Sequence, residues 1–516
     1  MVSEFRNHPL TDYSNNENRK KQEAALAEVK SQFTRTYSLS IDGKEAESRE
    51  MFTSKNPCQK EQVVGTFHKA GQEHAEQAIR AAEKAFQTWR FVPAAERADY
   101  LFKAAAVMRR RQLELNAWMI FETGKNWVEA DADTAEAIDF LEFYGREMLR
   151  YSETQPVTPL PGEKNELFYI PLGVGAVIPP WNFPLAILAG MTTAAIVTGN
   201  TVVLKPASDS PTIGHKLVEI MQEVGLPDGV LNYIPGSGAV IGDFIVTHPT
   251  IRFISFTGSK EVGLRINQLA AQPQKGQIWI KRVVAEMGGK DAIIVDSEAD
   301  LEQAVESVAT SAFGFQGQKC SACSRAIVDE SIYDDFLDRL VARTKKVTVG
   351  PVEHGENYMG ALINRAALEK TMKYIEIGKQ EGRLLCGGEQ GPDDGYYVQP
   401  TIIADVDAKA RLAQEEVFAP VLAVIKARNF EHALEIANDT EFGLTGSVYT
   451  TNRDKMNKAR QLFHAGNLYF NRKCTGALVG VHPFGGFNMS GTDSKAGGRD
   501  YLLLFQQAKL VSEKVN

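Results

Sequence analysis

Over residues 74–150, apolar side chains recur three and four positions apart, as at Ala78, Ala81, Ala82 and Ala85 and again at Leu101, Ala104, Ala105 and Met108. That spacing predicts a layer of amphipathic helices. Beyond Thr154 the pattern changes to short β-rich runs over 168–178, 201–205, 231–235, 251–257 and 283–286, with amphipathic helices at 211–224 and 259–271. A second series runs from Asp291 to Asn471, with strands such as 292–295, 326–328, 421–425 and 446–449. Alternation of this kind predicts parallel sheets covered on both faces by helices, so the fold class is α/β with two stacked domains. Residues 1 to about 35 carry many charges and few aliphatics, with a helix expected near 22–33.

A chain of 516 residues exceeds what one hydrophobic core covers, which also implies two or three domains. Its net charge of −8 and the lack of a basic cluster interleaved with aromatics argue against nucleic acid as a partner. The longest apolar stretch, 185–199, is too short and too rich in Thr and Gly to span a bilayer, and is expected to be a buried helix. The first residues have neither an apolar signal core nor an Arg-rich transit composition. Five scattered cysteines (Cys58, Cys320, Cys323, Cys386, Cys474) do not make a disulfide framework. Both features point to a reducing cytoplasm.

The candidate chemistry begins at Cys320, in the run Gly317-Gln-Lys-Cys320-Ser321, with Glu286 upstream in Glu286-Met-Gly-Gly-Lys290. A thiol attacks a carbonyl carbon as thiolate, and a nearby carboxylate can activate water against the resulting thioester. A buried cysteine is also a common small core residue. Pro180-Trp181-Asn182-Phe183-Pro184 follows a predicted strand, and an asparagine held between prolines can aim its amide at an oxyanion. It equally fits a capping loop. Lys205 ends the strand 201–205, at the sheet edge where ligands bind in open α/β folds. Gly258 and Ser259 open a helix whose first N–H groups suit a pyrophosphate, and the spacing to Gly263 is Gly-x4-Gly rather than the dinucleotide fingerprint. Glu416 and Phe418, in Glu415-Glu-Val-Phe-Ala-Pro420, offer a carboxylate for a ribose and an aromatic ring. Cys320-Ser-Ala-Cys323 also has the spacing of a dithiol or half a zinc site. A zinc site needs two further ligands, and no second Cys-x2-Cys or His pair is present, so no metal is expected.

These motifs, together with Leu204-Lys-Pro-Ala207 and Pro483-Phe-Gly-Gly486, stand in one order along the chain, and over roughly residues 40–510 the sequence resembles the aldehyde dehydrogenase superfamily. The resemblance implies a Rossmann-like NAD-binding domain (1–150 and 173–288), a catalytic α/β domain (289–488) and a small β oligomerisation ribbon (151–172 and 489–516). It implies Cys320 as nucleophile, Glu286 as general base, and Asn182 with the Cys320 N–H as oxyanion hole. Lys205, Gly258, Ser259, Glu416, Phe418, Pro180 and Trp181 would then line the cofactor.

Within the superfamily the chain is most similar to the branch that oxidises glutamate γ-semialdehyde, the open form of 1-pyrroline-5-carboxylate, to glutamate. The residues that carry this are the long polar N-terminal extension, Ser321 and the run Cys474-Thr-Gly-Ala-Leu-Val-Gly480. By that resemblance Ser321, Gly476 and Ala477 grip the substrate α-carboxylate, Phe183 and Phe484 flank its aliphatic part, and Glu136 meets its ammonium. Another semialdehyde, such as succinate semialdehyde, is the competing substrate. Many NAD-specific relatives carry Glu where this chain has Ser208, so NADP is expected to be accommodated beside NAD. A homo-oligomer, at least a dimer, is implied by the ribbon.

Overall fold

The computed structural model describes residues 3–515. Its first sheet has seven strands in the order Arg282–Glu286, Ile251–Thr257, Val174–Ile178, Thr201–Leu204, Leu231–Tyr233, Leu39–Ile41 and Lys44–Ala46. The first five are parallel, and the last two close one edge antiparallel. Thr201–Leu204 is buried along its whole length, as a strand covered on both faces must be, which is why it reads as an apolar run. The helix Ala186–Val197 is apolar nearly all round because it, too, is almost wholly buried. Four helices, Gln72–Trp89, Ala94–Arg110, Gln112–Thr123 and Trp127–Tyr151, form the helical layer.

A second seven-stranded sheet runs Arg383–Cys386, Thr401–Ala404, Val421–Ala427, Arg325–Asp329, Ala292–Val295, Thr445–Tyr449 and Asn467–Phe470. Only Arg383–Cys386 is antiparallel to its neighbour. Parallel strands send their C-terminal ends to one edge, so the loops bearing Asn182, Lys205, Gly258 and Glu286 leave the first sheet on the same side.

Two expectations need correction. The run 168–178 is not one strand. Glu163–Pro171 pairs over nine residues with Gln506–Lys514 as a separate antiparallel ribbon, and Val174–Ile178 then enters the first sheet. Gly173, at φ +144°, turns the chain between them. The N-terminal 150 residues also hold strands that the periodicity did not reveal: Leu39–Ile41, Lys44–Ala46 and a small sheet of Thr36–Tyr37, Val63–His68 and Met51–Lys55. Several of these are two or three residues long, too short for an alternation to register. The N-terminal helix spans Asn16–Ser31, capped by the Asn15 side chain on the Glu17 N–H.

Candidate active site

The helix Leu301–Phe313 ends in an abrupt turn in which Phe315, Gln316 and Gly317 all adopt left-handed backbone, at φ 48°, 57° and 65°. For the two non-glycine residues this costs about 1–3 kcal/mol each. The strain is held by Gln316 Nε2, which donates to the carbonyls of Gly124 (3.0 Å) and Ala361 (2.8 Å), and by Gln318 Oε1, which accepts from the Ile363 N–H at 2.9 Å. The turn delivers Cys320 half-buried, with its N–H donating to no other described residue. Asn182, buried, donates through Nδ2 to the Gln318 carbonyl at 3.0 Å. Its second amide hydrogen is uncommitted, so two donors stand beside the thiol loop.

Glu286 ends the strand Arg282–Glu286, paired with Thr257. Its carboxylate accepts from the Ser494 hydroxyl and from the Gly486 N–H at 3.3 Å. Gly288 and Gly289 follow, and neither tolerates a side chain: a Cβ on Gly288 would collide with the Glu416 carboxylate, and one on Gly289 would lie 2.5 Å from the Cys320 carbonyl oxygen. The Glu416 carboxylate also accepts from the Gly289 N–H at 3.0 Å. This glycine pair brings the nucleophile loop, the strand of Glu286 and Glu416 into direct contact.

Burial shifts both Cys320 and Glu286 toward their protonated forms. Burial, with the carboxylates of Asp291, Glu286 and Glu416, pushes the Cys320 thiol above its ordinary range. Burial likewise raises Glu286 to about 8, against hydrogen bonds from Ser494 and Gly486 that stabilise its anion.

Lys205, at the end of Thr201–Leu204, is buried with no carboxylate partner, and burial lowers it to about 8. An unpaired cation in that position fits hydroxyl ligands better than a structural role. Ser208 lies exposed on the turn that follows. Ser259 caps the helix Lys260–Ala270 by accepting from the Val262 N–H, at 3.4 Å, while the first N–H groups of that helix remain open to an anion. Phe418 has left-handed backbone, at φ 62°, and its ring meets Trp181 edge-on at 5.7 Å. Pro180 is half-buried beside it in sequence. These groups fit a dinucleotide: a cation and a carboxylate for two riboses, a helix start for pyrophosphate, and an aromatic wall.

On the other side of the thiol, Cys474 donates to the Ser321 carbonyl at 3.3 Å and so joins the nucleophile loop to the run 474–480. Arg472 donates to the carbonyls of Thr475 and Gly476, both at 3.1 Å. With those carbonyls turned to the arginine and Gly476 at φ +75°, the N–H groups of Gly476 and Ala477 are left without an acceptor among the described residues. Glu136 sits half-buried on the helix Trp127–Tyr151 with no hydrogen-bond partner there, and burial together with Asp133 raises it to about 8. Phe183 lies under the Lys125 ammonium, which is 4.2 Å from its ring centre, and Phe484 is fixed by backbone hydrogen bonds in both directions with Ala496.

The model of the aldehyde dehydrogenase family matches residues 44–511. The chain belongs to the aldehyde dehydrogenase family. It is 59% identical to the 1-pyrroline-5-carboxylate dehydrogenase of Geobacillus kaustophilus and 58% identical to that of Geobacillus thermodenitrificans, each over 99% of this chain and 100% of the relative. A solved 1-pyrroline-5-carboxylate dehydrogenase from Thermus with bound NAD superposes with a TM-score of 0.98 at 51% identity, over 99% of both chains.

For this aldehyde dehydrogenase, sequence spacing misses three supporting side chains. Arg472 acts on carbonyls three and four residues on, and Ser494 on a carboxylate more than two hundred residues away. Lys125 is wholly buried between the rings of Phe183 and Phe315, 3.3 Å from Asp133. A Lys and an Asp eight positions apart carry no motif signal. The dithiol reading of Cys320 and Cys323 finds no support, since Cys323 is buried, bonds the Arg325 carbonyl and faces Cys474. Among the described residues no group of three or more His, Cys, Asp or Glu is placed to hold a metal ion, and no helix is long and apolar enough to cross a membrane.

Proposed function

We propose that this aldehyde dehydrogenase oxidises L-glutamate γ-semialdehyde, released from 1-pyrroline-5-carboxylate by hydration and ring opening, to L-glutamate. The observation that carries the substrate is the pair of open amides at Gly476 and Ala477, in the run that Cys474 joins to the Ser321 carbonyl, together with the half-buried Glu136, which has no hydrogen-bond partner among the described residues. Consecutive backbone N–H groups suit a carboxylate, and a carboxylate raised to about 8 suits an ammonium that restores its charge. Phe183 and Phe484 flank the methylenes between head group and aldehyde.

Cys320 attacks the aldehyde carbon, and its proton passes to the ionised form of Glu286, whose share grows as pH rises toward about 8. The Cys320 N–H and the free Asn182 amide hydrogen meet the oxyanion of the thiohemiacetal. Lys205, Ser259 and Glu416 would hold NAD, with Phe418, Trp181 and Pro180 lining its nicotinamide end, and bound there it would supply the acceptor for the hydride leaving that carbon. Glu286 releases that proton to solvent, water then attacks the thioester on Cys320 and loses a proton to Glu286, and the C–S bond breaks to free glutamate and the Cys320 thiolate, which is reprotonated. Ser208 puts no negative charge against a 2′-phosphate, so NADP is accommodated as well.

The ribbon leaves Leu510 and Val511 exposed, which supports assembly of at least a dimer through that edge. Five free cysteines suit a reducing cytoplasm. The deciding assay is NADH formation at saturating NAD with glutamate γ-semialdehyde against succinate semialdehyde. A higher kcat/KM for the second would overturn the substrate assignment and leave the family intact.

A further inference from the structure

The first residues of the chain take no part in this chemistry, yet they are closely bound. Residues 3–12 run without regular secondary structure along the helix Trp127–Tyr151. Asp131 of that helix accepts from the Thr11 N–H at 2.6 Å and the Thr11 hydroxyl at 2.8 Å, and Asp139 accepts from the His8 N–H at 2.6 Å. Both carboxylates are buried, and a buried carboxylate needs donors. The arm supplies part of them, and Gln112 and Asn116 also donate to Asp131. The Phe5 ring meets Phe143 of the same helix edge-on at 5.2 Å and packs over Gly480.

Asn7 does something further. Its Nδ2 donates to Asp139 Oδ2 at 2.8 Å and to the Val479 carbonyl at 3.0 Å. Among the described residues, no other donor reaches that carbonyl. Asp139 stands one helical turn beyond Glu136, and Val479 lies two residues beyond Ala477. A single amide therefore ties the helix that presents Glu136 to the loop that presents the Gly476 and Ala477 amides.

We propose that the N-terminal arm is a specificity device, in which Asn7, backed by Phe5, sets the spacing between Glu136 and the amides of Gly476 and Ala477. The inference rests on the substrate reading above. Asn7 is a positioning residue: it reaches the substrate only through Asp139 and Val479. An amino-acid head group must satisfy its ammonium and its carboxylate at once, so its binding is sensitive to that spacing. An aldehyde without such a head group is not.

The test uses the full chain with Asn7→Ala and, separately, Phe5→Leu, so that one misfolded variant does not end the experiment. KM and kcat are measured at saturating NAD for glutamate γ-semialdehyde and for pentanal, an uncharged aldehyde of the same carbon count. In each variant KM for glutamate γ-semialdehyde is expected to rise by about fivefold or more, with its kcat and both pentanal parameters held within about twofold. An unchanged KM overturns the proposal. So does an equal loss with pentanal, which is what a merely structural arm would give. If the unaltered protein itself does not prefer glutamate γ-semialdehyde to pentanal, the substrate reading and this inference fall together. A preference of undiminished size in both variants overturns the inference alone.

Discussion

The carbonyl oxygen of Cys320 lies 2.5 Å from where a side chain on Gly289 would begin. The nucleophile loop and the strand end bearing Glu286 are thus packed backbone against backbone, and neither can move without the other. Gly289→Ala is expected to displace the thiol, lower kcat by about tenfold or more, and cost about 1–3 kcal/mol of stability through overpacking. Steady-state kinetics with thermal denaturation would check both; a variant with normal kcat would contradict the coupling.

Cys320→Ser and Cys323→Ser separate the nucleophile from its neighbour. The first is expected to lose at least roughly a thousandfold in kcat, because a serine hydroxyl here lacks thiolate character. Cys323→Ser is expected to keep most activity at some cost in stability, since Cys323 is a buried core thiol. Acyl-enzyme trapping and mass spectrometry should find the thioester on Cys320 alone.

Glu286→Gln is expected to leave a rapid single-turnover burst of NADH and to slow the following steady state by about 100- to 10,000-fold. In the unaltered protein the base form of Glu286 is populated only as pH rises through about 8. Log kcat should therefore climb with unit slope below that value and flatten above it, wherever thioester hydrolysis limits turnover. A steady state insensitive to pH between 6 and 9 (about the range bracketing that value) would remove Glu286 from this role.

Lys205→Ala is expected to raise KM for NAD by about 10- to 100-fold, the loss of a charged hydrogen-bond donor, with little change in the KM of the aldehyde. Ser208→Glu is expected to depress kcat/KM for NADP while sparing NAD, through like-charge repulsion at a 2′-phosphate. Paired titrations of the two cofactors would decide it.

The wholly buried Lys125–Asp133 pair predicts a different kind of loss. Lys125→Ala removes the charge that opposes the burial of Asp133 and drives that carboxyl further toward its neutral form, with the Ala186 N–H as a remaining donor, a change worth up to about 3–5 kcal/mol. The double change Lys125→Met with Asp133→Leu should recover part of that. Calorimetry on the two variants would distinguish a structural pair from one that serves catalysis.

The parallel strands were legible in sequence because burial on both faces makes them continuous apolar runs, and Ile251–Thr257 and Ala292–Val295 fall where the pattern puts them. Cys320, Glu286 and Asn182 were legible through their motifs. Gly173 was not, because the residues on either side of it are equally apolar and only the change of pairing partner separates ribbon from sheet. Arg472 and Asn7 were hidden for another reason. Each acts by holding a backbone carbonyl, Arg472 in its own loop and Asn7 in a remote one, and carbonyl direction leaves no trace in residue type.

The two carbonyls that hold Gln316 come from opposite ends of the chain order, Gly124 before the nucleophile and Ala361 after it. A chain emerging from synthesis therefore cannot shape its thiol loop until residues well past Cys320 have folded back onto the helical layer. Until then Cys320 is an ordinary cysteine without an oxyanion hole.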